Sequence, residues 1–211
     1  MINECIKRHP VLEECRAEIV KIADILTGCF ENGGKLLVCG NGGSCSDSGH
    51  IAGELLKGFY QLRPLPEQVK AAFEERFGED GKWLAGKLQG SLPVISLPDQ
   101  TSVLTAFNND VDAAAGYAQL VYGFAKPGDV FMGLSTSGNS KNVVHAARTA
   151  AICGAKTVAL TGKNTCLLDE VCDVVIHVPE TVTANVQELH LPVYHALCAE
   201  VEKRLFPQEK S

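Results

Sequence analysis

The sequence predicts a three-layer αβα sandwich around a central, mostly parallel five-stranded sheet. Three observations carry that expectation. Short apolar runs alternate with stretches of helical spacing, the order that gives parallel strands covered on both faces. Gly40-Asn41-Gly42-Gly43-Ser44 directly follows the apolar run 35–39, so a buried strand feeds a glycine-rich turn and a helix start. Leu134-Ser135-Thr136-Ser137-Gly138-Asn139-Ser140 makes a second corner of the same kind. Glycines let the backbone turn sharply and approach a ligand. A helix start offers unpaired N–H groups and the positive end of a dipole. Two such corners point to a phosphorylated small molecule.

Each element follows from local pattern. Leu12, Cys15, Ile19, Ile22, Ala23, Leu26 and Phe30 repeat at helical spacing, and Asn32-Gly33-Gly34 ends that helix, placed at about 10–30. Strand one covers 35–39 and a helix 46–59. Strand two covers 92–97, a short helix 100–107 and another helix 113–123. Pro127-Gly128-Asp129 turns the chain into strand three, 130–134. A helix over 141–153 starts on Asn139 and Ser140 caps. Strands at 156–160 and 174–178 precede a long final helix, 186–205. Residues 61–90 break the rhythm with Pro64, Pro66, a charged helical run 67–77 and Gly78-Glu79-Asp80-Gly81. They read as a surface insertion in one domain that spans 1–211.

Bulk properties narrow the class. The 211 residues suit one compact unit, and a net charge of −6 argues against a nucleic-acid surface. No apolar run approaches the ~18 residues of a membrane span, and the N-terminus does not read as a signal peptide. The nine cysteines are odd in number and form no CxxC, which suits reduced thiols and a cytoplasmic location. Cys45 lies in the glycine corner, where a helix start favours thiolate, but no nucleophile motif surrounds it.

The corners lack the dinucleotide and Walker signatures, GxGxxG and Gly-Lys-Ser/Thr. The second is richer in chemistry, because Ser135, Thr136, Ser137 and Ser140 bring four hydroxyls to one turn and a cap uses one. His50 and Glu54, at i and i+4, share a helix face above the glycine corner. An imidazole and a carboxylate there serve proton transfer or a zinc-type metal; the same spacing also describes a surface ion pair. The last helix carries Gln187, Glu188, His190 and His195. Gln187 and His195 stand ~12 Å apart on a continuous helix. Sharing an ion requires a later helix start or two subunits. Pro192 allows either such a start, near 189–191, or a kink.

Taken in order, Gly40-Asn41-Gly42-Gly43-Ser44, His50 and Glu54, Asn109-Asp110, Ser135-Thr136-Ser137-Gly138-Asn139-Ser140, Leu160-Thr161-Gly162-Lys163, and Gln187-Glu188-Leu189-His190 with His195 resemble the SIS (sugar isomerase) domain family, within it the phosphoheptose isomerases. The likeness runs from about residue 20 to the C-terminus. It implies a flavodoxin-like fold, aldose–ketose isomerisation of a sugar phosphate through an enediol, and a homotetramer with active sites between subunits. By that resemblance Asn41, Gly42, Gly43, Ser44, Glu54, Asn109, Asp110, Ser135, Thr136, Ser137, Ser140 and Gln187 contact substrate. His50, Glu54, Gln187 and His195 match the family's zinc ligands, and Glu54 and His195 its acid–base pair. The sequence departs from the pattern at the 61–90 insertion, at Gly58 where a basic residue is expected (Lys57 or Arg63 standing in), at Ala184 in place of an aspartate, and at Pro192. The same domain also serves non-catalytic phosphosugar-sensing regulators and an adaptor of the replication initiator.

Overall fold

The computed structural model describes residues 1–207. Strands β1 (Leu36–Gly40), β2 (Val94–Ser96), β3 (Val130–Leu134), β4 (Lys156–Thr161) and β5 (Val174–His177) form one sheet in the order β2-β1-β3-β4-β5, and every pairing is parallel. This is the doubly wound 2-1-3-4-5 order, in which ligands bind outside the carboxyl ends of β1 and β3, where the winding reverses. The glycine corner leaves β1 and the serine corner leaves β3, so the topology sets both on one rim.

Strand alternation builds the two covering layers. Leu36 and Val38 face one core with Val130, Met132, Val158 and Leu160. Helices α1 (Ile2–Arg8), α2 (Arg16–Glu31), α3 (Gly43–Leu56) and α8 (Thr183–Leu205) cover that face. Leu37 and Cys39 face the other core with Phe131 and Ala159, under α6 (Gly116–Phe124) and α7 (Lys141–Ile152). Helix α5 (Thr101–Asp110) links β2 to α6 and buries no residue fully.

Several boundaries differ from the sequence expectation for local reasons. The first predicted helix begins as a 3-10 turn, Pro10–Cys15, before α2. Helix α1 was not expected; Ile2, Cys5 and Ile6 bury one short stripe. Helix α3 starts at Gly43 and stops at Leu56, three residues earlier at each end than the reading of 46–59. Ser140 precedes α7 but makes no side-chain cap bond. Helix α8 begins at Thr183 and runs on through Pro192, so the later start is not adopted. In the insertion, α4 (Glu67–Ala85) is broken at Gly78, whose φ of 59° only glycine adopts readily. Gly81 lies against the Phe73 carbonyl, so the chain doubles back on itself there.

One core histidine gives the fold a pH dependence. His190 is fully buried, and its Nε2–H donates to the Thr161 carbonyl at 3.3 Å while Nδ1 has no partner. Burial pushes its pKa down to about 4, against the pull of the Thr161 bond. The unfolded chain therefore takes up this proton first. Its contribution is complete above pH ~6.5 and is lost as pH falls towards 4, about 3 kcal/mol in all. Urea unfolding of wild type and His190→Gln should show the stability difference between them shrinking across that window. A constant difference would contradict the assignment.

Candidate active site

The glycine corner is shaped by its close approaches. Gly42 has φ 56°, and a side chain on Gly40 would strike Ser44 at 2.6 Å. Ser44 is buried, and Cys45 is a half-buried free thiol. Gly43 lies against Gln187: a methyl group there would meet the Gln187 amide nitrogen at 2.7 Å. Helix α8 thus brings Gln187 to the mouth of the corner. Gly43→Ala should leave the fold intact, since the obstructing atoms end a flexible side chain. By the resemblance this corner and Gln187 hold a sugar phosphate, and on that expectation the change should weaken its binding roughly tenfold by displacing the amide. Titration calorimetry with unchanged affinity would contradict this placement.

The hydroxyls of the second corner are used unequally. Ser135 Oγ and Ser140 Oγ pair at 3.0 Å, and Ser137 Oγ accepts from the Asn139 backbone at 3.2 Å. The Ser140 hydroxyl is therefore committed to its neighbour, not to capping α7. Thr136 fixes the loop through its carbonyl, which accepts from Gly162 N at 3.0 Å. The two corners are tied together by Asn41 and Asn142, which exchange amide bonds of 2.9 and 2.8 Å. Asn142 escaped the sequence reading, because only the adjacency of β1 and β3 brings it to Asn41. Asn109 and Asp110 bond to each other at 2.7 Å at the exposed end of α5, with no bond to either corner.

Above the glycine corner, α3 and α8 bring His50, Glu54 and His195 together. His50 Nε2 lies 3.3 Å from Glu54 Oε1 and 3.3 Å from His195 Nε2. Glu54 is sheltered, with 15% of its side chain exposed. Burial, with His50 beside it, holds His195 below the ordinary histidine pKa against the opposing charge of Glu54, so the ring is neutral at pH 7. Lys57 Nζ reaches Glu54 Oε2 at 3.3 Å. Of the two residues expected to stand in for the missing basic group, Lys57 is thus at the site. Arg63 is not: its side chain is fully buried against Glu202. Tyr194 and Asp47, also missed from sequence, line the inner side of His50. Burial raises the Asp47 carboxyl, opposed by the bond it accepts from Tyr194.

Imidazole and carboxylate are the donors zinc prefers, and a tetrahedral zinc with bonds near 2.0–2.1 Å separates neighbouring donors by roughly 3.3–3.4 Å. The two His50 contacts have that spacing. Among the described residues, however, no group of three or more His, Cys, Asp or Glu is placed to hold a metal ion. Gln187 sits eight residues from His195 on an unbroken helix, so one chain offers the expected set as pairs and not as a closed shell.

The doubly wound sheet thus carries the glycine and serine corners together at its switch point, with two imidazoles and a carboxylate above them. The SIS domain profile matches residues 4–88 and 84–162, and the chain belongs to the SIS domain family. It is 36% identical over 195 residues to phosphoheptose isomerase from Shewanella baltica, spanning 91% of this chain and 86% of the relative. Phosphoheptose isomerase from Neisseria gonorrhoeae superposes with a TM-score of 0.74 at 29% identity, covering 95% of this chain and 94% of the other. The enzyme from Francisella tularensis gives 0.76 at 26% identity over the same shares.

Proposed function

We propose that this chain is a phosphoheptose isomerase that interconverts sedoheptulose 7-phosphate and glycero-manno-heptose 7-phosphate. The observation that carries the reading is the convergence of His50, Glu54 and His195 beside two anion corners on one sheet rim. The names of the relatives agree with it. Asn41, Gly42, Gly43, Ser44, Ser135, Thr136, Ser137 and Ser140 would hold the sugar phosphate, with Gln187, Asn109 and Asp110 along the sugar chain. Glu54 removes a proton from C1 while the C2 carbonyl oxygen gains one, giving the enediol. The C1 hydroxyl then loses its proton and Glu54 returns one to C2. His195, neutral at pH 7, moves the protons on oxygen. His50, Glu54, His195 and Gln187 would hold a zinc ion, which supplies Lewis-acid polarisation of the substrate oxygens.

The reading extends to a homotetramer whose active sites lie between subunits, which would complete the donor set that one chain leaves open. It also takes the chain as a single SIS unit with 61–90 as an insertion, in the cytoplasm and without nucleic-acid or membrane partners. The nine free thiols suit that compartment. Among the described residues no helix is long and apolar enough to cross a membrane. A non-catalytic regulator or adaptor would not need a sheltered carboxylate beside two imidazoles.

Purified protein supplied with zinc and a panel of ketose phosphates tests this directly. Conversion of sedoheptulose 7-phosphate in preference to the others is expected. Saturable binding without turnover of any of them would replace the isomerase by a sensor.

A further inference from the structure

The serine corner leans on two neighbouring segments, and one side chain outside the active site joins them. On one side Gly162, just past β4, donates its N–H to the Thr136 carbonyl at 3.0 Å. On the other, the 3-10 turn Leu167–Glu170 meets the corner at Gly138 and Asn139. Leu168 N donates to the Gly138 carbonyl at 3.3 Å and Leu167 N to Asn139 Oδ1 at 2.8 Å, while the Asn139 amide donates to the Ser137 carbonyl at 2.9 Å. His177, the last residue of β5, spans both supports. Its Nε2 lies 2.8 Å from Asp169 Oδ1 in the turn, and its Nδ1 lies 2.9 Å from the Gly162 carbonyl. Both partners accept, so both ring nitrogens donate, as in an imidazolium paired with a carboxylate. Thr161 Oγ1, 3.0 Å from Nδ1, sends its own proton to the Gly162 or Ile176 carbonyl, at 3.2 and 3.4 Å, and accepts from the ring. The other Asp169 oxygen accepts from Cys166 N at 2.7 Å, which seats the carboxylate.

We propose that His177 and Asp169 form a latch that positions the serine corner for the phosphate of the substrate. Both are positioning residues: they act through Gly162, Thr136 and the 167–170 turn and touch no substrate. The proposal rests on the reading, given above, of this corner as a seat for the phosphate. The fold does not need the latch, because fully buried Leu168 pins the turn into the core under α6 and α7. What the latch adds is register. It ties the turn to the end of β4, so the bonds to Thr136, Gly138 and Asn139 are held together. The phosphate is the same in substrate and transition state, so its seat contributes uniform binding. Loosening that seat raises KM and spares kcat.

Steady-state kinetics with sedoheptulose 7-phosphate test this in His177→Gln, Asp169→Ala and the double variant. A glutamine amide cannot replace a ring that donates from both ends, since one of its ends is itself a carbonyl. KM should rise roughly tenfold in each single variant, about the worth of one charge-assisted hydrogen bond, with kcat within about twofold of wild type. The double variant should rise no further than the more affected single one, as two halves of one unit do. Unchanged KM in either single variant overturns the proposal, whatever its melting temperature. So does a loss confined to kcat, or one that falls on kcat and KM alike, which marks general structural damage. Single effects that multiply in the double variant overturn it as well. Wild type that neither binds nor converts the sugar phosphate removes the phosphate seat itself, and the latch's role with it. That result is distinct from an active wild type whose variants match it.

Discussion

Glu54→Gln is expected to abolish isomerisation in a protein that stays folded. Glu54 projects from the last turn of α3 with only 15% of its side chain exposed, within 3.3 Å of both His50 Nε2 and Lys57 Nζ. An amide keeps the shape and can hold neither a carbon-bound proton nor the negative charge that Lys57 faces. A positioned general base contributes about 10²- to 10⁴-fold, so turnover should drop by at least that range, to background. His195→Gln should act in the same direction, because burial keeps that ring neutral and able both to give and to take a proton at pH 7. The control is circular dichroism and the oligomeric state, both unchanged from wild type. Near-normal activity in both variants would remove Glu54 and His195 from the chemistry.

The second large effect lies behind the site. Glu202 is fully buried and accepts from the backbone N–H groups of Phe59, Tyr60 and Gln61 at 2.8, 2.7 and 3.2 Å, and from Arg63 Nε at 2.8 Å. Arg63 in turn donates to the carbonyls of Leu55 at 2.7 Å and Glu54 at 3.3 Å. Its guanidinium also lies 4.8 Å from the Phe206 ring centre. The pair thus satisfies the orphan carbonyls at the end of α3 and fastens the following loop to α8. Removing one partner strands a buried charge. Arg63→Met should cost about 3–5 kcal/mol. Arg63→Lys should recover only part, since an ammonium cannot reproduce the guanidinium fork. The clasp holds the backbone that carries Glu54, so kcat should fall about 10²-fold in either variant, through misplacement of the base. Denaturant unfolding and steady-state kinetics check both effects. Arg63→Met within about 1 kcal/mol of wild type and fully active would contradict the clasp.

The sheet was legible because its strands are short apolar runs between turn signals. Strand β3 matches its predicted span of 130–134, and β1 is displaced by one residue. The two corners were legible for the same reason: each is a contiguous segment. What joins segments was not. Asn142 pairs with Asn41 across 101 residues, and Tyr194 meets His50 across 144, so neither leaves a local signal. Arg63 looked like a replacement for a basic group at the substrate, but its real partner, Glu202, lies 139 residues on. Pro192 suggested a helix start by its local preference, whereas tertiary burial of Val193, Tyr194 and Leu197 keeps α8 running through it. In the insertion, the charged run 67–77 gave the first arm of α4. The second arm depends on the close packing of Gly81 on Phe73, which composition does not reveal.

The central claim is proton transfer between neighbouring carbons by Glu54, and sedoheptulose 7-phosphate incubated with the zinc-supplied protein in deuterated water tests it most directly. Isomerisation through an enediol should place solvent deuterium at C1 or C2 at a rate tied to turnover, and Glu54→Gln should show neither exchange nor product. Saturable binding with no deuterium at either carbon in the wild-type protein would contradict it.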